Sequence, residues 1–425
     1  MKEKLLTKNF LLLLLGQASS LFGNFILRLA LSMYVLEVTG SAAVFAGLLS
    51  AAVIPTILLS PFGGILADRA DRRSIMVALD TLTGLSVLCA VFLLNERSAV
   101  GTIGILLAAL SVFGAFETPT VQACVPQMLS GDNIIKGNAL INQVASVSYL
   151  IAPMLGGVLY AAFGLKPLML GSILCFFLTA FLECFIKLDR HKSVSHENIW
   201  SVVKNDFSDS IHFWAEEQTG ILKMLLLVAL SRFFVMGLTV VGLPYLIRNV
   251  LELGAGYYGA AESAQAVAII IGSVAAGLLA GRMNMGKLPI LLAVIGAFII
   301  PGGIAFLFPL SAAAKYIMNV GGFCGMQIAV NLFSIFAVSL IQQNTPNQLL
   351  GKVMAFTSAV TMCVQPIGQI VYGFLFDEFC SRVDLILIPT GVIVCVIGLL
   401  SMGFLKMNFE NGAVPFDNDR GYTDL

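Results

Sequence analysis

Apolar residues along this 425-residue chain fall in long, nearly unbroken runs, with polar residues confined to short intervals between them. A bilayer core about 30 Å thick needs roughly 20 apolar residues per helix. On that basis the pattern predicts twelve spans, near 9–36, 42–67, 74–95, 99–123, 138–162, 167–187, 221–248, 256–281, 288–309, 316–341, 354–377 and 385–407. Backbone groups in hydrocarbon must pair within their own segment, so the spans are expected to be helices; barrel strands would be shorter and alternating. One polar interval is long. Within residues 188–220, Ile199, Val203, Phe207, Ile211 and Trp214 recur at steps of three or four, which predicts an amphipathic helix on the membrane face. It divides the chain into a first six-helix bundle (1–187), a linker (188–220), a second bundle (221–408) and a polar tail (409–425). The start, Met1-Lys2-Glu3-Lys4 and a leucine run, continues past Tyr34 without a small-residue cleavage site, so it is expected to be an uncleaved first span.

Composition narrows the class. With 58% hydrophobic and 11% charged residues and zero formal net charge, neither a soluble globular domain nor a disordered chain fits, and no basic surplus points to nucleic acid. The eight cysteines are scattered with no C-x-x-C pair, which argues against a disulfide framework and a zinc site. All three histidines, His191, His196 and His212, lie in the linker, and no phosphate-binding loop or catalytic constellation is visible. An enzyme is therefore not expected, nor a cofactor or a metal. Counting Lys and Arg with the N-terminus inside places seventeen on one side and five on the other, so both termini are expected in the cytoplasm.

The densest charge cluster is Gly64-Ile65-Leu66-Ala67-Asp68-Arg69-Ala70-Asp71-Arg72-Arg73, between spans 2 and 3. Asp68 ends span 2, where the helix dipole disfavours an acid, so it wants a cation or the start of another helix. Arg69, Arg72 and Arg73 suit lipid phosphates or carboxylates, and a plain positive-inside anchor is the simpler reading. Gly64–Arg69 returns as Gly277–Arg282, an offset of 213, with Gly281 where Asp68 would fall. Pro126 returns as Pro346, and Pro153 through Tyr160 has a looser echo in Pro366 through Gly373. The Gly-x-x-x-Asp-Arg-x-x-Arg-Arg spacing resembles the signature loop of the major facilitator superfamily. That resemblance implies an all-α membrane protein: twelve transmembrane helices in two pseudo-symmetric six-helix bundles that rock to give alternating access. It also implies that Asp68 meets the start of helix 11, near Lys352 and Val353, as a one-sided cytoplasmic latch.

Further segments resemble the macrolide-efflux and transmembrane secretion effector branch: Gly16-Gln17-Ala18-Ser19-Ser20-Leu21, Glu37 through Ser41, Phe116-Glu117-Thr118-Pro119, Ser148 through Pro153, and Leu350-Gly351-Lys352-Val353 with Pro366-Ile367-Gly368. Members of that branch are mostly bacterial exporters of drugs or small metabolites, driven by proton entry. Pro153, Gly156 and Gly157 resemble an exporter-associated motif of helix 5, although Ala152 replaces its usual upstream glycine; a helix-packing kink is the alternative.

Ionisable residues inside spans are costly and are read as functional candidates. They are Arg28 with Asn24 one turn back, Asp80, Glu117, Arg232, and Glu262 near Gln265. The resemblance implies that helices 1, 4, 7 and 10 line a central cavity, which favours Arg28, Glu117 and Arg232. Asp80 and Glu183 are expected to pair with the loop arginines, and outer water is the alternative for Glu262. No Arg occurs in Leu106 through Phe116, where many proton-coupled drug exporters carry one. Gln17, Asn24, Phe113, Phe116, Asn142, Phe233, Gln327, Asn331 and Gln365 are candidate cavity residues; the alternatives are lipid-facing or packed rings and interhelical amide bonds. The expectation is a monomeric, proton-coupled exporter of a small amphiphile in the cell membrane, with protons, the substrate and the bilayer as partners. A facilitator or symporter importing a metabolite is the alternative. A non-transporting sensor or scaffold is a third, disfavoured by the 33-residue linker.

Overall fold

The computed structural model describes residues 5–69, 71–95, 97–130, 132–188, 219–279, 288–343, 345 and 350–410. Twelve helices in it are long and apolar enough to cross a membrane. We number them α1 (Lys8–Thr39), α2 (Ala42–Arg69), α3 (Arg72–Leu93), α4 (Ala99–Met128), α5 (Asp132–Phe163), α6 (Leu165–Glu183), α7 (Leu222–Val250), α8 (Ala255–Leu279), α9 (Leu288–Leu307), α10 (Ala312–Gln343), α11 (Leu350–Glu378) and α12 (Asp384–Glu410). Each predicted span has its helix, and no strand occurs among the described residues. Residues 199–214, the predicted amphipathic helix, lie outside them.

Several helices run past the apolar length the sequence marked. α4 continues to Met128 with Pro126 in its last turns, and α5 begins at Asp132. Local chemistry fixes the ends elsewhere. The Thr7 side chain accepts the Phe10 amide at 3.2 Å to start α1, and Gly40, at φ 63°, ends it in the left-handed conformation that lets α2 begin almost at once. Asp71 caps α3 by accepting from Ser74. α7 departs from a plain α-helix, passing through π turns at Gly237–Gly242 and Leu246–Val250.

Helices α1–α6 pack among themselves: α1 lies on α5 and α6, α2 on α4, and α3 on α4 and α6. In the second set α9 lies on α10 and α12, α8 on α10, and α7 on α11. Two seams join the sets, α2 against α11 and α5 against α8. Large apolar side chains point outward all round, with Phe92 at 81%, Ile105 at 75%, Leu174 at 71% and Leu278 at 79% exposure. Such a surface suits hydrocarbon and not water.

Small residues bring the seams together. A Cβ on Gly157 would meet the Ala255 carbonyl oxygen at 2.6 Å and the Cα atoms of Gly256 and Gly259 at 3.2 Å. A Cβ on Gly373 would meet the Ala42 carbonyl oxygen at 2.9 Å, the Ala43 Cα at 3.0 Å and the Ala46 Cβ at 2.6 Å. Ala42, Ala43 and Ala46 stand 213 residues before Ala255, Gly256 and Gly259, so both seams use the same contact. Ser50 Oγ donates to the Pro366 carbonyl at 3.1 Å, and Ser263 Oγ, 213 residues on, donates to that of Leu150 at 2.7 Å. For α5 and α11 the matching offset is thus 216: Gly157 corresponds to Gly373 and Leu150 to Pro366. The sequence echo had aligned Pro153 with Pro366. In space these prolines are one helical turn out of register.

Candidate functional site

We call the end where α1 turns into α2 the upper end, and the end where α2 turns into α3 the lower end. The described polar contacts between the halves run from the Ser50 and Ser263 level to the upper end. There Asp377, in the last turn of α11, accepts the Ala42 amide at 2.6 Å, the Ala43 amide at 3.0 Å and the Ser41 hydroxyl at 2.5 Å. A carboxylate thus caps the N-terminus of a helix from the opposite half, where the dipole favours it. Beside it Arg248, at the end of α7, pairs with Glu37 of α1 at 3.2 Å, and Asn249 Nδ2 donates to the Gly40 carbonyl at 3.3 Å. The Tyr160 hydroxyl donates to Glu37 at 2.9 Å and orients it.

At the lower end the signature loop is only partly described. Gly64, Asp68 and Arg69 are helical in α2, but their side chains, and that of Lys352, lie outside the described residues, as does any contact between them. Arg72 Nη1 donates to the Ala123 carbonyl of α4 at 2.6 Å, and Arg73 donates to the Cys184 carbonyl just past α6. Both guanidinium groups therefore bind carbonyls near helix C-termini within the first half.

The expectation that Asp80 and Glu183 pair with loop arginines is corrected here. Both are buried, at 1% and 0% exposure. Asp80 Oδ1 accepts the Ser20 hydroxyl of α1 at 3.0 Å, and Asp80 and Glu183 face each other. Among the described residues, Asp80 Oδ2 and both Glu183 oxygens have no hydrogen-bond donor, and buried Gln17 Nε2 has no acceptor. Glu117 of α4 sits beside Gln17 and Ser20 and is only partly buried. Four helices, α1, α3, α4 and α6, thus gather three acids in the lower third of the first half.

The other predicted ionisable residues are dispersed. Arg28 is exposed by surface area yet ringed by protein, the combination a cavity wall produces, and its Nε donates to Asn24 Oδ1 at 2.7 Å. Arg232 is partly buried on α7. Glu262 lies in the α5–α8 seam, where the Tyr258 hydroxyl donates to it at 2.5 Å and Tyr149 stands alongside. Tyr149 in turn meets Phe25 of α1 edge-on at 5.4 Å. Of the helix 5 motif, Gly157 and the Pro153 carbonyl touch α8, and Gly156 faces the backbone of Ile26 in α1.

The predicted cavity residues divide by chemistry. Asn331 Nδ2 donates to the Ile269 carbonyl at 2.6 Å and to Ser273 Oγ at 2.8 Å, an interhelical bond from α10 to α8. Phe233 packs edge-on against Phe234 at 5.1 Å and near Tyr372 of α11. Gln327 Oε1 is buried without a donor among the described residues. Asn142 is exposed, and Phe113, Phe116 and Gln365 are partly buried. A cleft of about 410 Å³, lined by Thr7, Gln127, Ser130 and Asn133 among others, opens at the lower end, away from these residues. Sequence reading passed over Asp377, Tyr258 and the role of Glu183. At a span end, an acid in one dimension looks like any interfacial acid.

Two bundles joined by two small-residue seams are the architecture of a known group of carriers, and residues 13–369 match the Major Facilitator Superfamily. The chain belongs to that superfamily. This transporter is 24% identical over 368 residues to macrolide efflux protein A of Streptococcus pyogenes, covering 85% of this chain and 88% of the relative. It is 23% identical over 376 residues to the multidrug efflux pump Tap of Mycolicibacterium fortuitum, covering 86% and 89%. Its fold is similar to that of a bacterial homologue of the iron transporter ferroportin in an inward-facing state, with a TM-score of 0.70 and 18% identity over 92% of this chain and 98% of that one. It is accordingly a multi-pass membrane transporter of small molecules and not an enzyme.

Proposed function

We propose that this transporter is a proton-coupled exporter of a small amphiphilic drug or metabolite in the cell membrane, working by alternating access with both termini in the cytoplasm. In this reading residues 1–187 and 221–408 are the two moving bodies, 188–220 their linker and 409–425 a tail. The observation that carries it is the distribution of polar contacts between the halves. Among the described residues they run from Ser50 and Ser263 to the end around Asp377, Arg248 and Asn249, where a few hydrogen bonds and one ion pair can break and reform. Seams of glycine and alanine below them allow the halves to rock. In this reading, which takes its orientation from the lysine and arginine bias, that end is the outer one and its contacts close the outer face. Export, rather than import, is supported by the likeness to a macrolide efflux protein and a multidrug efflux pump.

Glu117, partly buried and in contact with Gln17 and Ser20, is the acid through which protons reach the first half. Arg28, exposed inside the ring of helices, offers a positive partner to an anionic or polar group of the substrate. The test is efflux of a panel of amphiphilic antibiotics and dyes from a sensitive host, with and without an uncoupler. Active efflux that the uncoupler abolishes is expected, and Glu117→Gln is expected to reach the membrane yet lose that efflux. Accumulation of substrate in energised cells would instead establish an importer, and transport in neither direction would favour a sensor or scaffold.

A further inference from the structure

We infer that the buried carboxyl pair Asp80–Glu183, behind Glu117 and linked to it by Ser20, is a binding site for one exchangeable proton. The inference rests on the proton-coupled reading above for its role in transport, but its geometry stands by itself.

Asp80 on α3 and Glu183 on α6 are both sealed from solvent and face each other, while Asp80 Oδ2 and both Glu183 oxygens lack a donor among the described residues. Two ionised carboxylates cannot share such a space, because each would lose its hydration and repel the other. A single proton removes both costs: one carboxyl becomes a donor and the other accepts from it. Among the described residues, no cation donates to either carboxyl. From α1 come the Ser20 hydroxyl, which donates to Asp80 Oδ1, the Gly16 backbone and the Gln17 amide. From α4 come Glu117, a further acid, and the Cys124 thiol, and from the end of α6 the Cys184 thiol. Arg72 Nη1 donates to the Ala123 carbonyl, and the Arg73 guanidinium donates to that of Cys184.

A route is present as well. Ser20 touches both Asp80 and Glu117, so its hydroxyl can pass its own proton to Asp80 while taking one from Glu117. No proton is created or lost: the pair gains what Glu117 gives, and Glu117 is refilled from water. Gln17, whose buried amide lies beside Glu117, can stabilise that residue once it is ionised. The pair thus stores a proton out of the water's reach, with Glu117 as its port.

The test is infrared difference spectroscopy of the purified full chain in lipid nanodiscs at neutral pH. The expected result is a carbonyl-stretch band of a protonated, apolar-environment carboxyl that is absent from both Glu183→Gln and Asp80→Asn. Glu117→Gln should keep the band, and Ser20→Ala should keep it but slow its shift on transfer to deuterium oxide. Size-exclusion elution checks that each variant folds, and two near-isosteric amides guard against the failure of one. A band unchanged in both Glu183→Gln and Asp80→Asn would overturn the site, and so would its displacement by sodium at constant pH. The two readings separate cleanly. No efflux with the band intact refutes the export reading and leaves the site standing. Uncoupler-sensitive efflux from a protein whose band ignores both substitutions refutes the site and leaves export standing.

Discussion

The two seams between the halves are copies of one contact that have acquired different chemistry. In each, a glycine of α5 or α11 seats against three small residues of α8 or α2, and a serine one step deeper bonds a carbonyl across the seam. Beyond that they diverge. Asp377 caps α2 at one seam, and the equivalent position at the other, by the 216 offset, is Ala161. Glu262 and Tyr258 occupy the second seam where the first has Leu49 and Phe45. The backbone contact is alike in both copies. The polar groups around that contact differ between the two copies.

The largest effect should come from breaking what the seams share. Gly157→Val places atoms within 2.6 Å of the Ala255 carbonyl and against two α8 Cα atoms, all backbone that cannot turn aside. Overpacking of this kind costs about 1–3 kcal/mol, and here no side chain can relieve it. Loss of transport and a lower melting temperature in detergent are expected, and Gly373→Val should behave alike. Gly171→Ala, with open space around it, is the control and should melt like the wild type. A stable, active Gly157→Val would show that the seam is not closely packed.

Breaking what only the first seam has comes next. Asp377→Asn removes the charge that caps α2 and one of its acceptors, about 1–2 kcal/mol for charge-assisted bonds at a helix N-terminus. That is roughly a tenfold change in the balance between closed and open upper ends. Distances between spin labels at exposed Phe163 and Phe379, in a background without native cysteines, should lengthen. Distances that do not move would mean the cap is incidental to closure.

The smallest change makes the seams more alike. Tyr258→Phe gives α8 the ring that α2 already has at Phe45 and removes one bond to Glu262, worth about 1 kcal/mol. A drop of a few degrees in melting temperature is expected with the chain still folded. A larger fall would show that Glu262 depends on Tyr258 for more than one bond.

The twelve spans were legible because a membrane reads length and apolarity, both of which one dimension carries. The 213 offset of α2 and α8 was legible for a similar reason, since Gly64–Arg69 and Gly277–Arg282 preserve letters. The 216 offset of α5 and α11 was not: Pro153 and Pro366 looked equivalent, and only the contacts of Gly157 and Gly373 showed the slip. Glu117 and Glu262 stood out as acids inside apolar runs. Glu183 and Asp377 did not, because each ends its helix and gains its meaning from residues far away in the chain, Asp377 from one 335 positions distant. Asn331 could have lined a cavity or bonded a neighbour, and only its distance to Ile269 decided.

The alanines and glycines of the seams also bear on speed. Such residues have no rotamers to freeze when surfaces meet and none to release when they part, so motion across them carries almost no side-chain entropy. Nor do they interlock as leucine and phenylalanine would. In the alternating-access reading the seams are smooth bearings, and among the described residues the polar groups that resist the motion are few.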